Sequence, residues 1–462
     1  THTETDTDTK YTYDAIYRLL QSIPVKIHDG KEREFEHKSE IFTYDAVGNR
    51  LTGPKDKLSY TYNTANQLTE LTKVPLNKRG KGVLEDEQEN KVEYTYDKNG
   101  NLIKKVEFDD DRQIKKTTLY SYDFESRLTK VEIQKKDKVK IITFTYDPFG
   151  RRLSKSIHKE EIDDDNDDGD DDRDEEDRIT PRATYYVYDN EDIIMEYNHK
   201  GKVTTRYVHG LGIDEPLAIE RLAPERLNQG KGKVYYYHFD GLGSVTSLTD
   251  NKGKVVQRYD YDSFGKLKRQ GNKVINTFTY TAREYDRETG LYYYRARYYD
   301  PQIGRFISFD PILRGINHTK VANRRHIIIS LSFQQPQKLH PFVYALNNPE
   351  NWIDPWGLWT YATEYGTTGV GLTANIANIE GTVDSIFNST ANLDAVVTYT
   401  INGTHGANSL HSSGNAIDLR TRDLSPSQIS QVVDMLRNAL DSDYDVINEG
   451  NHIHIEYDPP CK

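Results

Sequence analysis

One short phrase recurs along more than half of this sequence, and it restricts the possible folds more than any other feature. It reads "YTYDAIYRLL" from position 11, "FTYDAVGNRL" from 42, "YTYNTANQL" from 60, "YTYDKNGNL" from 94, "YSYDFESRL" from 120, "FTYDPFGRRL" from 144 and "YDYDSFGKL" from 259. The template is aromatic-x-Tyr-Asp, a short turn containing Gly or Asn, a polar residue and Leu. Period-two alternation puts the rings on one face, the Asp segment supplies turn chemistry, and Leu returns to that face. Each unit is therefore predicted to be a β-hairpin. One hairpin cannot bury such a face, but stacked neighbours can, so the array is expected to form one continuous, wide β-sheet structure. Composition agrees: 34 Tyr against 14 Phe and 2 Met, with only 35 % hydrophobic residues, leaves a core of half-polar aromatics alternating with polar neighbours.

Other classes are excluded early. A formal charge of −12 argues against a protein that coats nucleic acid, which needs a concentrated basic face. The single Cys461 rules out an intramolecular disulfide and a Cys-rich zinc site. No run of about 18 apolar residues is present, so no membrane-spanning helix is expected. The opening "THTETDTDTKYTYD" has neither an initiator Met nor a signal-peptide pattern, and it reads as a fragment of a longer polypeptide whose localisation signals lie upstream.

The repeat resembles the YD repeat of the Rhs proteins, the C subunits of Tc toxin complexes and the teneurins, over Thr1 to Gly271. Further on, "TAREYDRETGLYYYRARYYDPQIGRFISFDPI", Thr281 to Ile312, resembles the Rhs-associated core, and "HPFVYALNNPENWIDPWGL", His340 to Leu358, resembles its terminating element. The resemblance implies a mainly β fold: residues 1–271 as a YD-repeat spiral β-sheet shell, 272–358 as an Rhs core plug, and a separate domain from 359 to 462. The stretch between Asp310 and His340 is longer and more basic than this family leads one to expect.

A second irregularity is "EEIDDDNDDGDDDRDEED", residues 160–177. Asp164, Asn166, Asp168, Gly169 and Glu175 have the spacing of a calcium-binding loop. Asp171 stands where an aliphatic belongs, however, and no amphipathic helices flank the run, so it reads better as a solvated, self-repelling insertion in a hairpin.

Asp310 in "SFDPI" and Asp354 in "WIDPWGL" have two readings. Asp-Pro is a good turn opening. Two aspartates can also act as an aspartyl protease does, one holding a proton while the other activates water. The family resemblance implies the second, with cleavage between Leu358 and Trp359 and with Arg305 as electrostatic support.

After Leu358 the repeat stops, and residues 359–462 carry 4 basic against 13 acidic residues, a formal net charge of −9. "LSPSQISQVVDMLRNAL" reads as a helix capped by Ser425 with Pro426 in its first turn, while "VVTYTI" and "HIHIEY" read as strands, giving a small α+β domain. Four of the chain's 14 His, at 405, 411, 452 and 454, fall within 50 residues. On a strand, His452, His454 and Glu456 share one face, available to meet His411 and Asp418. Ordinary surface histidines are the competing reading.

Ser409-x-His411-x-x-Gly414-x-Ala416-x-Asp418 and His452-x-His454 resemble the two motifs of the D-Ala-D-Ala metallopeptidase and hedgehog-like zinc fold. That resemblance implies Zn2+ held by His411, Asp418 and His454. Asn451 stands where many relatives carry the general base, leaving Glu449 or His452 for that role. Together these readings predict the C-terminal part of an Rhs-type polymorphic toxin, secreted or displayed at the cell surface. It would enclose and release by self-cleavage a zinc peptidase acting on peptidoglycan stem peptides. Its expected partners are an immunity protein and a secretion apparatus or the upstream polypeptide, and no nucleic acid. The alternative is a surface adhesion or structural protein ending in a non-catalytic binding domain.

Overall fold

The structure is a computed structural model that describes residues 7–28, 31–35, 38–53, 58–73, 90–136, 138–161, 182–210, 212–222, 232–270, 274–311, 313, 340–358, 361–362, 379–391, 397–399, 416–421, 424–440, 442–450 and 452–458. The acidic run from Asp164 to Glu175 and nearly all of the 311–339 insertion lie outside these residues, as do Trp359, His411 and Asn451. None of the described helices is long and apolar enough to cross a membrane.

The repeat builds antiparallel hairpins. Among the described residues, eighteen strands, from Thr43–Tyr44 to Leu267–Gln270, close into one barrel, whereas the first unit stands in its own four-stranded sheet (Thr7–Tyr13, Leu19–His28, Lys31–Glu34, Glu40–Ile41). The array is thus two sheets rather than one continuous sheet. The fold is a mainly β, YD-repeat shell with a core segment packed against its inner face.

Each part of the repeat has its own task. The Asp closes the turn: Asp97 Oδ1 accepts from Asn99 N at 2.9 Å and Asn101 N at 2.8 Å. Asp45, Asp123, Asp147, Asp240, Asp250 and Asp262 repeat the pattern. Its third successor is left-handed, as at Gly100 with φ 79°; where Gly is missing, Ser126 adopts φ 64°, at a cost of roughly 1 kcal/mol. The first aromatic packs inward, so that Tyr60, Tyr94, Tyr120 and Phe144 share a buried cluster with Leu68, Leu102 and Leu128. The second Tyr ties each hairpin to the one before. Tyr122 Oη donates to Leu102 O at 2.9 Å, Tyr146 Oη to Leu128 O at 2.6 Å and Tyr261 Oη to Val245 O at 2.7 Å. These second tyrosines therefore satisfy their own hydroxyls while stacking repeats, each bond contributing about 1 kcal/mol.

Two units depart from the template. In "FTYDAVGNRL" and "FTYDPFGRRL" an extra Arg precedes Leu, and strand alternation then turns Leu51 and Leu153 outward, 38 % and 40 % exposed. Arg50 and Arg152 take the inward places. Arg50 lies over the Phe42, Tyr60 and Phe264 rings and donates to Tyr60 Oη at 2.9 Å. Arg152 reaches the core sheet (Glu284–Asp286, Leu291–Tyr294, Arg297–Asp300, Arg305–Phe306). There it donates to Asp286 at 2.6 Å and Glu284 at 2.5 Å, and Lys155 adds 2.9 Å to Asp286. Burial alone would raise the Asp286 carboxyl; Arg152 and Lys155 outweigh burial and hold it below the usual carboxylate range.

Alternation also sorts the core tyrosines. Tyr293 and Tyr298 join the shell cluster, while Tyr292, Tyr294 and Tyr299 pack with Phe306 and Tyr344.

The C-terminal segment has a four-stranded antiparallel sheet ordered Val397–Tyr399, Ala416–Arg420, His452–Tyr457, Tyr444–Asn448. Helices α1 (Glu380–Ala391) and α2 (Pro426–Ala439) contribute Val383, Phe387, Val432 and Leu436 to one core with Ile417, Leu419, Ile453 and Ile455. Ser425 caps α2 through a reciprocal bond pair with Gln428.

Candidate functional site

Among the described residues, the sequence-predicted site residues gather in the core and in the C-terminal sheet.

The core group starts from the loop Asp354-Pro-Trp-Gly-Leu358. Asp354 first does what Asp147 does in "DPFGR": its Oδ1 accepts from the backbone N four residues on, here Leu358 N at 2.9 Å. The difference lies in the other oxygen. In the repeat Asp147 Oδ2 pairs with Arg151 four residues on, at 2.7 Å, but Leu358 occupies that place in the loop. Asp354 Oδ2 turns instead to Arg297 Nη2, 3.4 Å away, and Asp310 Oδ2 meets the same nitrogen at 3.1 Å. Asp354, Asp310 and Arg297 are 2 %, 9 % and 3 % exposed. Two buried carboxylates thus share one guanidinium, which offsets their mutual repulsion.

The loop is also gripped along its backbone. Arg295 Nη1 donates to Pro355 O at 2.7 Å, Ala296 N to Trp356 O at 3.2 Å and Arg297 Nε to Gly357 O. Arg295 lies 4.9 Å over the Trp356 ring. Gly357, at φ 68°, passes so close to Tyr294 that a Cβ would collide with the Tyr294 carbonyl oxygen. A small cleft bordered by Ser126, Tyr146, Arg297, Tyr298 and Ser308 opens beside Arg297.

The structure brings Asp310, Asp354 and Leu358 together, but the arginine at the carboxylates is Arg297. Arg305 sits elsewhere: it donates to Asn49 Oδ1 at 3.1 Å and Asn66 O at 2.5 Å and lies 4.7 Å over the Tyr62 ring, fixing the core to the shell. The signal for Arg297 was the phrase "YYYRARYY": arginines at the turn and start of a hairpin otherwise built for burial need carboxylate or carbonyl partners.

In the C-terminal sheet Asp418 stands directly opposite His454 in the register. His454 Nδ1 lies 2.7 Å from Asp418 Oδ1 and its Nε2 lies 3.2 Å from Glu456. His452 Nε2 lies 3.4 Å from Asp418 and 3.3 Å from Glu449. The hydrogen bond to Asp418, assisted by Glu456, raises the His454 pKa against the opposing effect of burial. Asp418, His452 and His454 place ligand atoms within 4.8 Å of one another, a donor set that suits a divalent ion. The expected set of His411, Asp418 and His454 is described only for its last two members.

Residues 224–327 match the Teneurin YD-shell family. That match takes in the last shell hairpins and the first part of the core. The chain is 29 % identical over 328 residues to the tRNA3(Ser)-specific nuclease WapA of Bacillus spizizenii, covering 69 % of this chain and 11 % of that protein. It is 27 % identical over 364 residues to the double-stranded DNA deaminase toxin A of Burkholderia cenocepacia, covering 76 % and 21 %. The chain therefore spans about a tenth of the first relative's length and about a fifth of the second's. The solved structure of TcdB2-TccC3 aligns with a TM-score of 0.36 at 19 % identity, over 76 % of this chain and 19 % of that one.

These relatives correct the activity expected of the C-terminal domain. They are named for tRNA cleavage and DNA deamination, not for a zinc D-Ala-D-Ala carboxypeptidase or endopeptidase, and they point to a different activity with no support for a peptidoglycan substrate. The exclusion of nucleic acid on charge loses its support for the same reason.

Proposed function

We propose that this chain is the C-terminal part of a YD-repeat polymorphic toxin, secreted or displayed at the cell surface. Residues 1–271 form its shell, 272–358 a self-cleaving core, and 359–462 the effector that the cut releases. The observation that carries the reading is the Arg297-bridged Asp310–Asp354 pair, with the Leu358 amide bonded to one of the two aspartates.

One aspartate, ionised, takes a proton from water as its oxygen attacks the Leu358 carbonyl carbon. The other, protonated, polarises that carbonyl. The Leu358–Trp359 bond breaks, and the departing nitrogen receives the proton. In the effector, Asp418 and His454 with His452 or His411 would hold Zn2+, which would polarise a bound water, and Glu449 or His452 stands as proton acceptor. Both relatives are named for nucleic-acid substrates, so tRNA and double-stranded DNA are the substrates to try first. An effector of this kind calls for an immunity protein in the producing cell, and the shell for an upstream polypeptide or secretion apparatus.

The deciding experiment is expression of the whole chain, then denaturing electrophoresis and N-terminal sequencing. The wild type should give two pieces, the smaller beginning at Trp359. Asp354→Asn, whose side-chain oxygen can still accept from Leu358 N, should stay whole. A wild type that remains a single chain refutes self-cleavage.

A further inference from the structure

The loop to be cut is held partly by the shell. Between the strands Val203–His209 and Pro216–Arg221, the shell loop carries Ile213 and Asp214 inward. Asp214, at φ 60°, turns its carboxylate to two core arginines. Its Oδ1 accepts from Arg283 Nη1 and, at 3.0 Å, from Arg295 Nη2, and its Oδ2 accepts from Arg295 Nη1 at 3.2 Å. Arg295 is thus gripped by both oxygens of one carboxylate, and the nitrogen it shares with Oδ2 is the one that donates to Pro355 O at 2.7 Å. Arg283 is itself committed to the core through Tyr293 O, at 2.9 Å from Nη2. Next to Asp214, Ile213 packs with Ile353 and Trp356, and Leu358 joins the same cluster. The turn of the core hairpin therefore presents its clamp to the loop only in the orientation that a shell residue imposes.

We infer that Asp214 is a positioning residue for self-cleavage, so that the core cuts once the shell has closed on it. This rests on the self-cleaving reading of the core. A fork held by a bidentate carboxylate has one orientation. Released, Arg295 would keep its charge but lose the geometry that aligns Pro355 and Trp356 three and two residues before the bond to be cut, and reactions of this kind fall steeply when the reacting groups shift by about 1 Å. Coupling to shell closure follows because Asp214 and Arg295 are 81 residues apart and meet only when that part of the shell has docked on the core.

The test is the rate of appearance of the cut product after refolding of denatured, uncut chain made by cell-free synthesis. Asp214→Asn keeps the shape and tolerates the left-handed backbone, and it should slow cutting at least tenfold. Arg295→Ala should also slow it, and the double variant should be no slower than Arg295→Ala alone, because Asp214 acts through that side chain. A merely structural role would instead make the two effects add. In the uncut Asp354→Asn background, adding Asp214→Asn should leave the melting temperature within a few degrees. If it does not, Arg295→Lys, which keeps the charge but not the fork, should show the same slowing. Wild type that cuts, Asp354→Asn that does not, and Asp214→Asn that cuts at the wild-type rate would overturn the positioning role alone. A wild type that never cuts would overturn the self-cleaving reading and this inference with it.

Discussion

Replacing Glu350 with Gln should stabilise the protein above neutral pH and leave it unchanged in acid. Glu350 lies where the N-terminal sheet, the last shell hairpin and the core meet. Burial pushes its carboxyl up from 4.5 to about 7, with hydrogen bonds from Tyr11 and Ser263 opposing the rise and Glu40 and Asp240 adding to it. Its neighbours share the strain. Asp262 is raised to about 6, chiefly by burial and then by Glu40, while Glu40 is held by Lys268 at 2.6 Å and Ser263 N at 2.9 Å. A carboxyl whose folded pKa is raised binds more protons folded than unfolded, so stability is greatest below the unfolded value and falls as pH rises from 4.5 towards about 7. That difference corresponds to roughly 3 kcal/mol lost between those limits. Gln imitates the protonated acid and escapes that loss. Thermal melts of Asp354→Asn and Asp354→Asn/Glu350→Gln, compared at pH 4 and pH 8, isolate the effect from self-cleavage. The variant should melt on the order of 5 °C higher at pH 8 and alike at pH 4. Equal melting at both pH values, or a less stable variant at pH 8, would refute the assignment of a raised pKa to this site.

Two other outcomes are expected. Arg152→Met takes the arginine from Glu284 and leaves Asp286 with Lys155 alone, at carboxylates 4 % and 0 % exposed at the side chain, and should cost about 3–5 kcal/mol, read as a lowered denaturant midpoint. Adding Glu284→Gln and Asp286→Asn should recover most of it. Zinc titrated onto residues 359–462 should bind about one per chain by metal analysis, and Asp418→Asn or His454→Ala should abolish that binding, whereas Glu449→Gln should leave it intact.

The repeat was legible in the sequence because it is local. Alternation fixes which face a residue takes, and Asp-x-x-Gly closes its own turn, so Tyr94, Asp97, Gly100 and Leu102 could be assigned without knowing what they face. The same locality made the cap at Ser425 and the shared face of His452 and His454 readable. What was not legible depended on partners distant in the chain. Nothing near Asp354 in sequence says that its second oxygen will meet Arg297 rather than Arg305; that is settled by core strand pairing, which brings residue 297 to 354 and sends residue 305 to Asn49 and Asn66. One inserted arginine in two repeats reversed which side chain points inward, and only the closed barrel showed that Arg152 had a carboxylate pair waiting there. Local hydrogen bonds and alternation thus set the hairpins, while the choice of partner for each buried charge belongs to the tertiary structure. A desolvated ion accepts whichever opposite charge the fold delivers, and sequence spacing does not record the delivery.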